Sequence, residues 1–206
     1  MNKAVILLSG GLDSYVSLDI AKKYYDISLA LTFDYGQEAF EDEKIASEKM
    51  ALKYNLEHKI IKLPFLSEIK GDSVWVPNRN GLFLNIAGSF CDAKNYDAII
   101  IGANKEEAKE FPDNSLEFIN NTNKTFAYST KNGTKAVAPL ILMDKEEIIS
   151  YAIKNNLDFS LIKSCYDSKN NSGKRHCGVC PSCLKLKNAI LKLKREDLLS
   201  ILDFEI

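Results

Sequence analysis

Ala4-Val5-Ile6-Leu7-Leu8-Ser9-Gly10-Gly11-Leu12-Asp13-Ser14 splits into a short apolar run and a small polar turn. A continuous apolar stretch of this length is what a strand buried on both faces requires. Two glycines then let the backbone turn tightly and approach a ligand closely. Beyond Asp13, Val16, Ile20 and Ala21 carry helical spacing, with Lys22 and Lys23 after them. The segment therefore reads as strand, loop, helix. Backbone N–H groups at such a helix start attract phosphate through unsatisfied donors and the helix dipole. No Gly-Lys-Ser/Thr follows the glycines, so the loop is not a Walker A, and it lacks Gly-x-Gly-x-x-Gly. The plainer alternative is an ordinary junction capped by Asp13 or Ser14.

Working outward, strands are expected at Ala4 to Leu8, Ser28 to Phe33, His58 to Leu63, Ala98 to Gly102 and Ala136 to Leu140, separated by segments of helical period. That alternation predicts an α/β fold with a doubly wound, mostly parallel five-stranded sheet. Ala39, Ala46, Met50 and Tyr54 share one helix face. Leu82, Ile86 and Phe90 recur every four residues beside Phe83 and Ala87, and this stripe is expected in the core. Asp144 followed by Glu147 has the form of a capping box. Ligands of open α/β sheets sit at the carboxyl ends of the strands, so Ser9 to Ser14, Asp34 to Gln37 and Gly102 to Asn104 are candidate site segments. Asp34 fits a metal or hydroxyl ligand and equally a turn before Tyr35-Gly36.

The 206 residues carry 27 Lys/Arg against 28 Asp/Glu, and no long Pro-, Gly- or Ser-rich linker interrupts them. One main domain (1–160) with a small appendage (161–206) is expected. No stretch has the length of a signal peptide or a bilayer span, so the protein is expected in the cytoplasm. Between Lys163 and Arg195 nine basic residues face one acidic residue. A solvated face, or a complement to the acidic stretches 38–48 and 106–117, explains this more readily than a nucleic-acid surface.

Four of the five cysteines, Cys165, Cys177, Cys180 and Cys183, cluster near the C-terminus, the last three as an overlapping CxxCxxC. Four thiolates suit tetrahedral zinc, with a [4Fe–4S] cluster as the rival. Gly178 and Pro181 favour the turns that bring sulfurs together. His176 adjoins Cys177 and reads as a bystander, and Cys91 as a buried small residue.

The Ser9 to Ser14 loop resembles the SGGxDS loop of the PP-loop ATP-pyrophosphatase superfamily. With it, Phe33-Asp34-Tyr35-Gly36-Gln37, Val76-Pro77-Asn78-Arg79-Asn80, Ile101-Gly102-Ala103-Asn104, Ser164-Cys165-Tyr166 and Cys177-Gly178-Val179-Cys180-Pro181-Ser182-Cys183 make the chain similar to the 7-cyano-7-deazaguanine synthase (QueC) family. The resemblance implies that ATP activates 7-carboxy-7-deazaguanine, that ammonia gives an amide, and that a second activation and dehydration give the nitrile. It further implies that Leu8, Ser9, Gly10, Gly11, Leu12, Asp13, Ser14, Phe33, Asp34 and Gly102 border ATP, with Mg²⁺. Asp13, Ser14 and Arg79 are then the catalytic candidates. Arg79, Asn104, Phe111 and Asp113 are the candidates for substrate contact, although a surface arginine capping the next helix is the plainer reading of Arg79. The four cysteines would hold Zn²⁺, and a homodimer without membrane or nucleic-acid partners is expected.

One stretch departs from the pattern. Members often carry Asp-Tyr-Ser-Gly-Tyr-Pro-Asp-Cys after the fourth strand. Here Glu106 to Ser115 stands there, with only Pro112 and Asp113 clearly shared, which opens the alternative of a related ligase with another deazaguanine acceptor. Two further alternatives are a PP-loop tRNA-modifying sulfurtransferase and a zinc-stapled binding module on a degenerate nucleotide fold.

Overall fold

The apolar run at the front of the chain forms β1 (Asn2–Leu7), the middle strand of a five-stranded sheet in a computed structural model that describes residues 1–70, 75–167 and 174–204. β2 (Tyr25–Asp34), β3 (Glu57–Lys62), β4 (Ala98–Ile100) and β5 (Lys135–Val137) complete the sheet, in the order β3-β2-β1-β4-β5 with every neighbouring pair parallel. The alternation of side chains along β1 feeds two cores. Ala4 and Ile6 point into one, and Val5 and Leu7 into the other. Helices cover both faces, which is why these strands read as continuous apolar runs.

The first core is closed by α1 (Leu12–Ala21), α2 (Phe40–Lys53), α6 (Lys145–Lys154), α7 (Pro181–Lys192) and α8 (Asp197–Ile201). The second is closed by α4 (Arg79–Lys94) and α5 (Leu116–Ser129). A short helix, α3 (Phe65–Lys70), follows β3. Asp144 caps α6 through the expected reciprocal box with Glu147. Cys180 caps α7, and Pro181 occupies its first turn, where a missing N–H costs nothing. Among the described residues no helix is long and apolar enough to cross a membrane.

Two expectations are corrected. α4 buries Leu84, Ala87, Gly88 and Cys91, while Leu82, Ile86 and Phe90 are only half-buried. The buried face follows the i, i+3, i+4, i+7 spacing of Leu84, Ala87, Gly88 and Cys91, so Ile86 and Phe90 pack on the edge of the second core instead of at its centre. β5 stops at Val137 instead of Leu140, because Pro139 has no N–H to give the ladder.

Candidate nucleotide and metal sites

β1 and β4 are neighbours in the sheet, and from them the chain winds outward in opposite directions. This is the switch point at which open α/β sheets leave a crevice, and the Ser9–Gly11 loop sits in it. Gly10 has φ +80, and a Cβ there would lie 2.7 Å from Ala46 Cβ and 2.8 Å from the Glu43 carbonyl. Only glycine permits this turn. A Cβ on Gly102 would lie 3.0 Å from the Ser14 nitrogen, so the end of β4 packs directly on the start of α1.

α1 begins at Gly11 without a side-chain cap. The N–H groups of Gly11 and Leu12 lean only on hydroxyls, each at 3.3 Å: Ser9 Oγ and Ser164 Oγ respectively. Ser14 Oγ accepts from the Ser9 N–H at 3.3 Å and donates to the Gly11 carbonyl at 3.0 Å. Long bonds to rotatable hydroxyls leave these amides ready for an anion.

Asp13 stands on the first turn of α1 and receives Lys145 Nζ at 2.8 Å on both carboxylate oxygens, and Asn104 Nδ2 at 3.2 Å. Lys145 was not singled out from the sequence. Its signal was available: a lysine directly after a capping aspartate sits at the helix end that repels a cation. Burial works against its ammonium, but the charges of Asp13 and Glu107 outweigh it and hold its pKa above the ordinary lysine value. Asn104 is fully buried, and its Oδ1 accepts the N–H groups of Glu106 and Glu107, both at 3.0 Å. Glu107, also missed, is half-buried. Burial first and the Asp13 charge second push its carboxyl up to about 7.

Arg79 opens α4 and donates to the Tyr35 hydroxyl at 3.1 Å, with its guanidinium 5.6 Å from the Tyr35 ring and 6.0 Å from that of Phe83. Asp113 accepts the Asn80 N–H, at 3.4 Å, one residue away. Phe111 stacks on Trp75 with centroids 5.1 Å apart. Beside that pair Trp75, Asn78, Pro112, Asp113, Ser115 and Phe118 line an open hollow of 410 Å³. The remaining candidates border the crevice through backbone. Leu8 is fully buried, with its N–H on the Leu31 carbonyl and its own carbonyl taking the Thr32 hydroxyl. Phe33 is buried against Phe83. Asp34 forms the turn, accepting the Gly36 N–H at 3.2 Å.

The four clustered cysteines converge. Their sulfurs all lie within 4.8 Å of one another, with Cys165–Cys180 and Cys177–Cys183 at 4.0 Å. Thiolates bound at about 2.3 Å around one tetrahedral ion stand roughly 3.8 Å apart, so the donor set fits a single metal ion. The middle of the loop such an ion would close, 168–173, with Lys169 of the basic run, lies outside the described residues. His176 is no ligand. Its Nδ1–H donates to the Leu202 carbonyl at 2.6 Å, and its Nε2 accepts the Ser164 N–H at 3.1 Å. Burial pulls its pKa down to about 4, keeping Nε2 an acceptor. Ser164 in turn holds Leu12, and the Lys163 N–H donates to the Gly10 carbonyl at 2.9 Å. The metal segment thus touches the phosphate loop twice.

Fold and loop together define a doubly wound α/β protein with an SGGxDS loop of PP-loop type after its first strand, and comparison with known proteins agrees. Among solved structures the chain is similar to the U34-tRNA thiolase NcsA of Methanococcus maripaludis with its [4Fe-4S] cluster (TM-score 0.55, 20% identity, 98% of this chain and 70% of that one). It is also similar to the NH3-dependent NAD synthetase of Campylobacter jejuni (TM-score 0.51, 20% identity, 97% and 80%). Identities this low speak for the fold alone. The family model for queuosine biosynthesis protein QueC matches residues 3–74 and 70–194. Curated relatives named 7-cyano-7-deazaguanine synthase include those of Methanosarcina barkeri, 40% identical over 92% of this chain and 96% of its own, and Methanocaldococcus jannaschii, 35% identical over 95% and 97%. The chain belongs to the QueC family.

Proposed function

We propose that this ligase-type enzyme converts 7-carboxy-7-deazaguanine and ammonia to 7-cyano-7-deazaguanine at the expense of ATP, through an activated carboxylate and an amide. The observation that carries the reading is the uncapped, amide-lined start of α1 beside the Asp13–Lys145 pair, in a chain matched by QueC over nearly its whole length. The amides of Gly11 and Leu12 and the hydroxyls of Ser9 and Ser14 cradle phosphate. The Lys145 ammonium, fixed by Asp13, balances charge that grows on the phosphate oxygens as the acyl bond forms. Mg²⁺ accompanies the ATP. Gly102 lets the nucleotide edge meet the sheet. Arg79 pairs with the substrate carboxylate. Phe111 and Asp113 offer the deazaguanine an apolar wall and a polar edge, and Asn104 orients Asp13.

The metal reading goes with this one: Cys165, Cys177, Cys180 and Cys183 hold Zn²⁺, which staples the segment 161–206 onto the ATP-binding domain, residues 1–160. Zinc supplies no step; it fixes Ser164 and hence Leu12. A sulfurtransferase would deliver sulfur through cysteines or an iron–sulfur cluster, so iron in the purified protein would favour that reading and a colourless zinc protein would weaken it. Cys91, the remaining cysteine, is buried in α4, and burial lifts its thiol to about 11. Exposed Leu184, Leu191 and Ile201 on α7 and α8 support a homodimer, and the reaction belongs in the cytoplasm.

Purified protein incubated with ATP, Mg²⁺, ammonium and 7-carboxy-7-deazaguanine should yield nitrile by mass spectrometry only when both ATP and ammonium are present. ATP consumption without any deazaguanine product would refute the assignment. For the metal, Cys180→Ser should lose zinc and at least about 3 kcal/mol of stability, a drop of roughly 6–12 °C in Tm. Unchanged metal content would sink the structural-zinc reading.

A further inference from the structure

Ammonia is held as ammonium at neutral pH, and its nitrogen then has no lone pair to offer an acyl carbon. A group that takes one proton next to the activated carboxylate lets a ligase use the ammonium form that dominates at neutral pH. The turn after β4 carries a candidate. Asn104, fully buried, fixes the N–H groups of Glu106 and Glu107 with one oxygen and Asp13 with its nitrogen. On the other side, the N–H groups of Phe111 and Glu110 donate to the Glu107 carbonyl at 2.8 Å and 3.0 Å. The backbone of Glu107 is thus pinned from both directions at a set position relative to the phosphate loop.

The charges that act on its side chain come from Asp13 on α1, Lys145 on α6, Arg79 on α4 and Lys185 on α7, with Tyr166 before the cysteines; Glu110 and Asp113 stand on the turns that follow it. Asp13 and Lys145 belong to the phosphate side, and Arg79 to the side that takes the substrate carboxylate. Among the described residues, Asp13 is paired with Lys145 at 2.8 Å and Glu110 with Lys185 at 2.8 Å, while no cation lies within ion-pair distance of Glu107. We propose that Glu107 is the catalytic base that takes the proton from ammonium where the two sides meet, an assignment that rests on the ligase reading above.

One ammonium N–H breaks, its proton passes to a Glu107 oxygen, and the freed nitrogen lone pair forms the C–N bond at the acyl carbon. The carbonyl π pair moves to oxygen and returns as the C–O bond to the phosphate-bearing group breaks, that group leaving with the bonding pair. The surplus proton on the new nitrogen goes with the departing phosphate oxygen, and Glu107 returns its own to solvent. Burial and the neighbouring Asp13 charge leave the Glu107 carboxyl near 7, matched to this transfer at neutral pH.

The test compares two nucleophiles in wild type and Glu107→Gln. Ammonium has to be deprotonated before it attacks, whereas hydroxylamine is already neutral at the same pH. With ammonium, product formation by the variant should fall about 100-fold. With hydroxylamine, hydroxamate should still form near the wild-type rate, which also shows that the variant folds and activates substrate. The wild-type ammonium profile should break near pH 7, and the variant profile should lack that break. Glu107→Asp, which keeps the carboxylate, should recover some of the ammonium rate. Equal losses with both nucleophiles, or no loss with ammonium, would overturn the assignment. Wild type that forms neither nitrile nor hydroxamate would overturn the ligase reading itself, a result distinct from any behaviour of the variant.

Discussion

The loop after β1 and the turn after β4 are joined by one side chain, Asn104, yet they are built by opposite means. The loop is made of backbone: a positive φ at Gly10, no room for a Cβ at Gly10 or Gly102, and amides presented at an uncapped helix start. The turn depends on side chains: the Asn104 amide that pins the Glu107 N–H, a Phe111–Trp75 stack and an Asp113 that braces the start of α4. On the proposed reading the loop holds phosphate, which is the same in every ATP, so main-chain geometry suffices there. The turn then reads the acceptor, which differs from one ligase to the next, with groups that can be exchanged without disturbing the sheet.

If that division holds, loop and turn variants separate in what they change. Asp13→Asn should lower turnover on the order of 10³-fold with a native circular dichroism spectrum, since Lys145 then loses the carboxylate that fixes it. Near-wild-type turnover would remove the loop from the chemistry. Gly102→Ala, which drives a methyl to 3.0 Å from the Ser14 nitrogen, should raise the KM for ATP about tenfold and leave the KM for the deazaguanine alone. Phe111→Ala should do the reverse: losing the stack with Trp75 costs about 1 kcal/mol, roughly a fivefold rise in the acceptor KM, with the ATP KM unchanged. A shift of both constants by either variant would break the comparison.

The smallest effect is on stability. Glu107 has a folded pKa of about 7 against an ordinary 4.5, so the native state binds the extra proton between those values. Stability is therefore lost as pH rises from about 4.5 to about 7, and Glu107→Gln is spared that loss. Differential scanning calorimetry should find the variant more stable than wild type by about 1 kcal/mol at pH 8, after solvent screening of a half-buried group, and no more stable at pH 4. Equal melting temperatures at both pH values would show that Glu107 is not held in its acid form by the fold.

The same division governs what could be read from the sequence. The five strands and the loop were legible because a buried parallel strand and a Gly-Gly turn are local patterns. The last three cysteines were legible by spacing. Lys145 reaches Asp13 across 132 residues, and no local pattern joins them. Asn104 read as an acceptor contact from its position after β4, but the fold spends its amide on Asp13 and its oxygen on the turn. The half-buried flank of α4 escaped because Leu82, Ile86 and Phe90 make an apolar four-residue repeat of their own, whereas the buried face runs through Leu84, Ala87, Gly88 and Cys91. His176 reads from sequence as a bystander to the cysteines, and its contacts with Leu202 and Ser164 emerge only when the C-terminal segment folds back.

That fold-back makes the cradle after β1 a composite of distant parts of the chain. The hydroxyl beneath the Leu12 amide belongs to Ser164, 152 positions away, and the imidazole that orients Ser164 belongs to His176 and leans on Leu202. A chain that has paired all five strands still lacks part of this cradle until α7 and α8 dock, so closing the C-terminal segment and completing the loop are one folding event.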